Sequence, residues 1–501
     1  MTLDLRHLPQ LFPEVASWLP RQRWFVDKGE ELKEVGPLAV FWVKPLPRPQ
    51  ALLLLAVRLG SGTTAAYHLG LDFDPDRSSQ PSGDVIWEGE DGEGRQWRVR
   101  EVLAEPGFLI ALLRSARAGR PSTDVRLVLS PESVTQVVKG LAPARPLGLE
   151  QSNTSLVVGE RVLVKFFRRA WPAPNLEVEM NSALTRAGFP AIAATLGSLD
   201  LAWGSELTSL GLIQRYLVNG TDGLTLALTS LRDLEGDLLT EADGEVPAPE
   251  RCRRAVLHQG GSFLPAAREL GHLTASMHLA LASAASGLQP RMADLDGEDL
   301  GILRDSGLER LERLLRLPEP RLEPLRVRAS SAHRLLVDVG RLGHGGQKIR
   351  VHGDLHLGQV VRNDEGWHFL DFEGRPVEPP AARRQLASPL RDVAGMVRSL
   401  EYAAALALRQ QVHPDEPNAQ TLAPYGRAWA QVMREAFWLA YRREPGMAAL
   451  LPPAVGEAEQ LLRALELTQA LYELEYELNA RPDWIEIPLE GVARLTAEVS
   501  W

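Results

Sequence analysis

The sequence predicts a mixed α+β protein in successive parts, and three features of its 501 residues lead there. The first hundred residues interleave short apolar segments with Gly and Pro, the pattern of a small sheet-rich module. A second segment with strand-like runs follows as far as about residue 218. Beyond it, apolar residues recur at helical spacing, broken once by a pair of short hairpins. The expected divisions are 1–105, 106–218 and 219–501, since a chain of this length exceeds what one hydrophobic core supports.

Taken in order, Leu38-Ala-Val-Phe-Trp-Val43 and Ala51 to Leu59 read as strands of the first module. A polar turn around Gln151 to Ser155, followed by Leu156-Val-Val and then Val162-Leu-Val-Lys165-Phe-Phe, reads as a hairpin. Leu212-Ile-Gln214-Arg-Tyr216-Leu217 reads as a strand entering a hinge. Asp233 to Glu250 is acidic and contains Gly and Pro, which predicts a mobile insertion. Helices are expected over Ala255 to Ala285, Leu303 to Leu317, Leu322 to Leu342, Tyr425 to Tyr441 and Val455 to Leu478.

Composition narrows the function. A formal net charge of −10 disfavours nonspecific nucleic-acid binding and does not attract anionic membranes. The single cysteine, Cys252, excludes an internal disulfide and any multi-cysteine metal site. No signal pattern opens the chain, and the apolar run Ala51 to Val57 is far short of the roughly 20 residues that span a bilayer. A cytoplasmic protein is expected.

The chemistry concentrates in Arg350-Val-His352-Gly353-Asp354-Leu-His356-Leu-Gly-Gln359, followed by Phe369-Leu-Asp371-Phe372-Glu373-Gly374. Asp354, Gln359 five residues later and Asp371 twelve beyond that repeat the spacing of a kinase catalytic base and its two metal ligands. Phosphoryl transfer asks the protein mainly to position groups and neutralise charge, and Asp and Gln oxygens suit Mg²⁺. His352 and His356 as a zinc pair is the rival reading. Gly353 disfavours the helix such a pair needs, and no Glu follows His352. Lys165 is one of six lysines among 55 basic residues and sits in an apolar strand, where it needs a partner. Glu177 is the expected partner and Glu179 the competitor.

With Leu19-Pro-Arg-Gln-Arg23-Trp24-Phe25 near the start, Gly148-Leu-Glu150-Gln151-Ser152-Asn153-Thr154-Ser155 before the Lys165 strand, and Ser388-Pro-Leu-Arg391-Asp392 and Tyr472-Glu-Leu-Glu-Tyr476-Glu477 after the catalytic hairpins, the chain resembles the bacterial maltokinases, relatives of the aminoglycoside phosphotransferases. That resemblance implies a bilobal protein-kinase-like fold, with an N-terminal sheet-rich cap subdomain and a mostly helical C-terminal lobe. It implies ATP and Mg²⁺ as cofactors. Gln151, Ser152, Asn153, Thr154, Ser155, Lys165, Glu177, Gln214 and Tyr216 would then hold the nucleotide, and Gln359 and Asp371 the metal. The implied reaction converts maltose to maltose 1-phosphate for α-glucan (glycogen) synthesis from trehalose, with a trehalose-handling enzyme such as trehalose synthase as a possible associate.

The acceptor sugar is assigned to His356, Glu373, Gln469, Tyr472 and Tyr476. The last three share a helix face through their three- and four-residue spacing, and aromatic rings stack on sugars. Three positions depart from the maltokinase pattern: Gln469 replaces a Lys, Arg375 a Glu, and Leu355 an aromatic residue. Two alternatives stay open. One is a kinase for another sugar such as glucosamine, with Glu475 or Glu477 meeting its cationic group; the other is a non-catalytic kinase-fold partner of a trehalose-handling enzyme.

Overall fold

The computed structural model describes residues 3–8, 10–76, 84–117, 125–129, 143–147, 153–172, 174–203, 206–241, 246–258, 262–411 and 417–497. The chain forms two compact units, Met1–Asn181 with Ala193–Val218, and Ser182–Ile192 with Asn219–Trp501.

The first unit is built on one sheet of eleven strands among the described residues. Its path runs β1 (Leu32–Lys44), β2 (Gln50–Leu59), β3 (Thr64–Asp74), β9 (Val162–Pro172), β11 (Glu206–Arg215), β10 (Thr195–Trp203) and β6 (Val125–Leu129). β4 (Val85–Glu90) and β5 (Gln96–Glu101) join at β3, while β7 (Ala144–Pro146) and β8 (Thr154–Val158) join at β9. The sheet-rich start and the later strands are thus one sheet, linked where Ala66 and Tyr67 of β3 meet Ala170 and Arg169 of β9.

The apolar run of β2 is explained by cover on both faces. Leu53, Leu55 and Val57 pack with Leu11, Val15 and Trp18 of the helix Leu11–Trp18. The alternate residues Leu52 and Leu54 pack with Phe108, Leu109 and Leu112 of the helix Pro106–Arg117.

The second unit is mainly helical. Its long helices are Gly223–Glu241, Leu264–Ala282, Gly297–Arg316, Glu323–Val339, Leu390–Gln411, Pro417–Arg443 and Val455–Ala480. Leu264–Ala282 and Pro417–Arg443 approach so closely that a Cβ on Gly271 would lie 2.3 Å from the Phe437 carbonyl oxygen, so only glycine fits. Between these helices, β12 (Thr221–Asp222), β13 (Met292–Asp294), β14 (Gln347–Ile349), β15 (Val360–Asn363) and β16 (Gly366–Phe369) make two small sheets.

Three expectations are corrected. Asp233 to Glu241 is not a mobile insertion but the end of a helix, because Ala227, Leu231, Leu234 and Leu238 recur at helical spacing and are all buried. The single helix expected over 255–285 is two, Pro249–His258 and Leu264–Ala282. The helix Leu390–Gln411 was read only as a motif, although its buried Val393, Met396, Val397 and Leu400 carry the helical period.

Candidate active site

In the first unit, Lys165 lies in β9 between buried neighbours, and its Nζ donates to Glu177 Oε2 at 2.8 Å. Both side chains are more than nine-tenths buried, so the pair compensates charge that water does not reach. Glu177 opens the helix Leu176–Arg186, where Asn175 Oδ1 accepts from its backbone N–H at 2.7 Å and fixes its place. Glu177, the expected partner, is therefore bonded to Lys165. We expect Glu177→Ala to destabilise the protein by about 1–3 kcal/mol, because it removes a charge-assisted hydrogen bond from a buried ammonium. Thermal unfolding measures this, and a change below about 0.5 kcal/mol would contradict the pairing.

Of the remaining expected nucleotide residues, Thr154 and Ser155 lie in β8, where Ser155 is paired with Lys165. Thr154 Oγ1 accepts from Arg168 Nε at 2.6 Å. Asn153 directly precedes that strand, while Gln151 and Ser152 fall outside the described residues. Gln214 is buried in β11, and Tyr216 just beyond it donates its backbone N–H to the Arg161 carbonyl at 2.8 Å.

The segment that holds Asp354, Gln359 and Asp371 lies in the second unit. After β14 the chain turns at Gly353, whose φ of +84° favours glycine, and a Cβ there would lie 3.4 Å from Gly374 Cα. Asp392 clamps this turn from beneath. Its fully buried carboxylate accepts from the backbone N–H of His352 at 2.7 Å and of Gly353 at 2.8 Å, and contacts His278 Nε2 at 3.0 Å. His278 Nδ1 in turn meets the Tyr441 hydroxyl at 2.9 Å. Burial opposes ionisation of Asp392, but the hydrogen bond from His278, its charge and that of His352, and the Gly353 N–H outweigh it and hold the carboxyl below the usual range. The sequence reading quoted Asp392 without a role and missed His278 and Tyr441. A buried helix histidine carries no local signal of its partner.

The turn also rests on the helix Leu390–Gln411, where a Cβ on Gly395 would meet the Leu355 carbonyl oxygen at 2.5 Å. Leu355 is buried there, so an aliphatic side chain serves as packing. His356 Nδ1 accepts from the Gly358 N–H at 3.0 Å, and burial depresses its pKa despite the nearby Asp354. Zinc binding by His352 and His356 finds no support in this geometry, since His352 Nε2 is bonded to the Leu370 carbonyl at 2.8 Å.

β15 and β16 bring Gln359 and Asp371 together, with Gln359 Nε2 donating to Asp371 Oδ2 at 3.2 Å. Asp371 has φ +61°, a left-handed backbone that costs a non-glycine residue about 1 kcal/mol or more. The Asp371 carboxylate is a hard-oxygen donor of the kind Mg²⁺ takes, and Gln359 meets it through its amide nitrogen. Glu373 follows on the turn to Gly374.

The helix Val455–Ala480 supplies a polar cluster that the sequence did not show. Arg375 Nη2 donates to Gln469 Oε1, its guanidinium lies 4.9 Å from the Tyr472 ring centre, and its Nε is 3.8 Å from Asp354 Oδ1. Burial first, then the charge of Arg391, lowers the pKa of this guanidinium. Gln469 Nε2 donates to Glu473 Oε1 at 3.0 Å, and Glu473 is held by Arg398 at 2.6 Å. Two departures that are 94 positions apart in sequence, Arg375 and Gln469, are therefore one contact. Tyr476 is 46% exposed and faces Arg481 rather than this cluster. Glu475 is engaged by Arg310 and Arg313, and Glu477 by Arg481 and Tyr402, so both expected carboxylates already have partners.

A buried lysine–glutamate pair lies in the sheet-built unit, and Asp354, Gln359 and Asp371 lie in the helical one, residue types that a phosphotransferase of the kinase type uses. The maltokinase N-terminal cap domain matches residues 18–100. The glucosamine kinase of Streptacidiphilus jiangxiensis is 30% identical over 405 residues, 79% of this chain and 82% of that protein. The glucosamine kinase of Mycolicibacterium smegmatis is 29% identical over 360 residues, 71% and 80% of the respective chains. A solved glucosamine kinase in complex with glucosamine, ADP and inorganic phosphate superposes with a TM-score of 0.64 at 24% identity, covering 93% of this chain and 94% of that one. The chain belongs to the family of sugar kinases that includes these glucosamine kinases and carries a maltokinase-type N-terminal cap.

Proposed function

We propose that this sugar kinase transfers the γ-phosphoryl group of ATP to a hydroxyl of an amino sugar of the glucosamine class. Asp354 orients that hydroxyl and takes its proton. Lys165, held by Glu177, neutralises nucleotide phosphate oxygens, as the kinase lysine does. Gln359 and Asp371 would hold Mg²⁺, which supplies charge neutralisation on the phosphates. His356, Glu373 and Tyr472 are assigned to the acceptor. An enzyme that consumes ATP works where ATP is held, which supports a cytoplasmic location, and no helix among the described residues is long and apolar enough to cross a membrane.

What favours the amino sugar over maltose is the likeness over most of the chain, since the maltokinase pattern itself is broken jointly at 375 and 469, where an arginine and an amide in contact replace an acid and a lysine. The relatives that match over most of the chain are named for glucosamine. Maltose is the second reading, favoured by the cap domain over residues 18–100 and leading to maltose 1-phosphate and α-glucan synthesis.

Coupled measurement of ADP release with glucosamine, maltose, glucose, trehalose and an aminoglycoside decides between them. We expect kcat/KM for glucosamine to exceed that for maltose by at least about tenfold, the difference that 1.4 kcal/mol of transition-state binding makes. The reverse order would return the assignment to maltose. Tyr472→Ala should raise KM for the sugar and leave KM for ATP nearly unchanged, since the lost contact is to the acceptor.

A further inference from the structure

Thr154 turns its hydroxyl away from the lysine on which the nucleotide reading depends. The register of β8 and β9 pairs Ser155 with Lys165 and Thr154 with Phe166. Paired residues share a face and successive ones alternate, so Ser155 stands on the Lys165 face of the sheet. Thr154 stands on the opposite face, where Phe166 packs with Phe108 and Leu109. There Thr154 Oγ1 accepts from Arg168 Nε at 2.6 Å, and the arginine side chain is 2% exposed.

Each nitrogen of this guanidinium has a partner. Nη1 and Nη2 donate to the two oxygens of Glu101 at 2.8 and 3.2 Å, and the Trp24 ring centre lies 4.4 Å from the guanidinium carbon. Glu101 is itself fixed, since its Oε1 also accepts from the backbone N–H of Leu103 at 3.0 Å and of Gly70 at 3.3 Å. A planar fork held on its far side by an anchored carboxylate and an indole ring aims its Nε–H in one direction. All of these residues belong to the first unit.

We infer that Arg168 is a positioning residue for ATP: it pins the strand end at Thr154 from behind the sheet, and Thr154 serves as the anchor rather than as a ligand of the phosphates. The inference deepens the sugar-kinase reading and rests on its assignment of Lys165 and the polar residues before β8 to the nucleotide. Asn153 and Ser155, on either side of the anchored residue, are held in place before ATP arrives. A chain segment ordered in advance costs a ligand less to bind, so the contact shows in ATP affinity.

The competing views make Arg168 a stitch within the sheet, or Thr154 a direct phosphate ligand. ATP titration and steady-state kinetics on the full chain, with whichever of glucosamine or maltose is turned over, separate the three. Arg168→Lys keeps a charge for Glu101 but lacks the fork that reaches Thr154 at the same time. It should raise Kd and KM for ATP about tenfold while KM for the sugar stays within about twofold. Trp24→Leu removes the ring beside the guanidinium and should raise Kd for ATP about threefold. Thr154→Val should raise it about tenfold, and Thr154→Ser, which retains the hydroxyl, should bring it back to within about twofold. Added to Thr154→Val, Trp24→Leu should change ATP affinity no further, because both act through one guanidinium.

A lowered melting temperature with unchanged ATP affinity in Arg168→Lys and Trp24→Leu makes Arg168 a stitch and overturns the inference. A loss from Trp24→Leu that simply adds to that of Thr154→Val overturns it as well, since Thr154 then meets ATP independently of Arg168. If Arg168→Lys does not fold, the Trp24 and Thr154 variants decide by themselves. Lys165→Met that binds ATP as tightly as the original chain would remove the nucleotide reading and this inference with it, whereas intact ATP binding confined to the Arg168 and Trp24 variants removes the inference alone.

Discussion

Asp354→Asn is expected to abolish most turnover while leaving the protein folded. The substitution is nearly isosteric and keeps an oxygen facing Arg375, yet an amide cannot take the acceptor proton. Loss of a general base costs typically about 10²–10⁴-fold in rate. The carboxylate is 30% exposed and its ion contact with Arg375 is a long 3.8 Å, so little stability depends on it. Measured kcat with the accepted sugar, alongside the melting temperature and ATP binding, checks this. Turnover within a few-fold of normal would remove Asp354 from its role.

Asp392→Asn should be the most damaging change that touches no substrate. The carboxylate is fully buried, accepts two backbone N–H groups of the catalytic turn and meets His278. Replacing it leaves a donor amide against donor N–H groups, a loss of about 3 kcal/mol near neutral pH. The turn that carries Asp354 loses its clamp as well, and a displacement of about 1 Å there can cost about 10²-fold in kcat.

The pH dependence gives a second check on the same residue. The folded pKa of Asp392 is depressed below its unfolded value of 3.8, so its stabilising contribution is present above pH 3.8 and is lost as the pH falls through the lower folded value. Denaturant unfolding should therefore separate the two proteins clearly at pH 7 and bring them together in strong acid. A constant gap across that range would show that the ionised carboxylate is not what holds the turn.

Sequence patterning made the local elements readable. Lys165 in an apolar strand demanded a partner, and the polar start of the next helix supplied Glu177 only twelve residues on. Asp354, Gln359 and Asp371 were legible for a similar reason: they lie within eighteen consecutive residues on two short hairpin elements, so their spacing encodes their geometry. The insertion over 233–241 was misread because charge and glycine content were weighed above the buried Leu231, Leu234 and Leu238, whose period decides for helix once there is a core to bury them.

By itself the sequence determined the α+β class, the resemblance, the three kinase-spaced groups and the lysine pair, because each is written in short-range order where backbone geometry ties neighbours together. Only the tertiary structure decided what lies under and beside the base. His278 reaches Asp392 across 114 positions, and Arg375 reaches Gln469 across 94. Such contacts arise where a helix packs against another helix, as His278 does with Asp392, or against a loop, as Gln469 does with Arg375. No local pattern marks which residue on one helix will face which residue on another, since side-chain packing and the cost of burying unpaired charge select the partner only when the chain is folded.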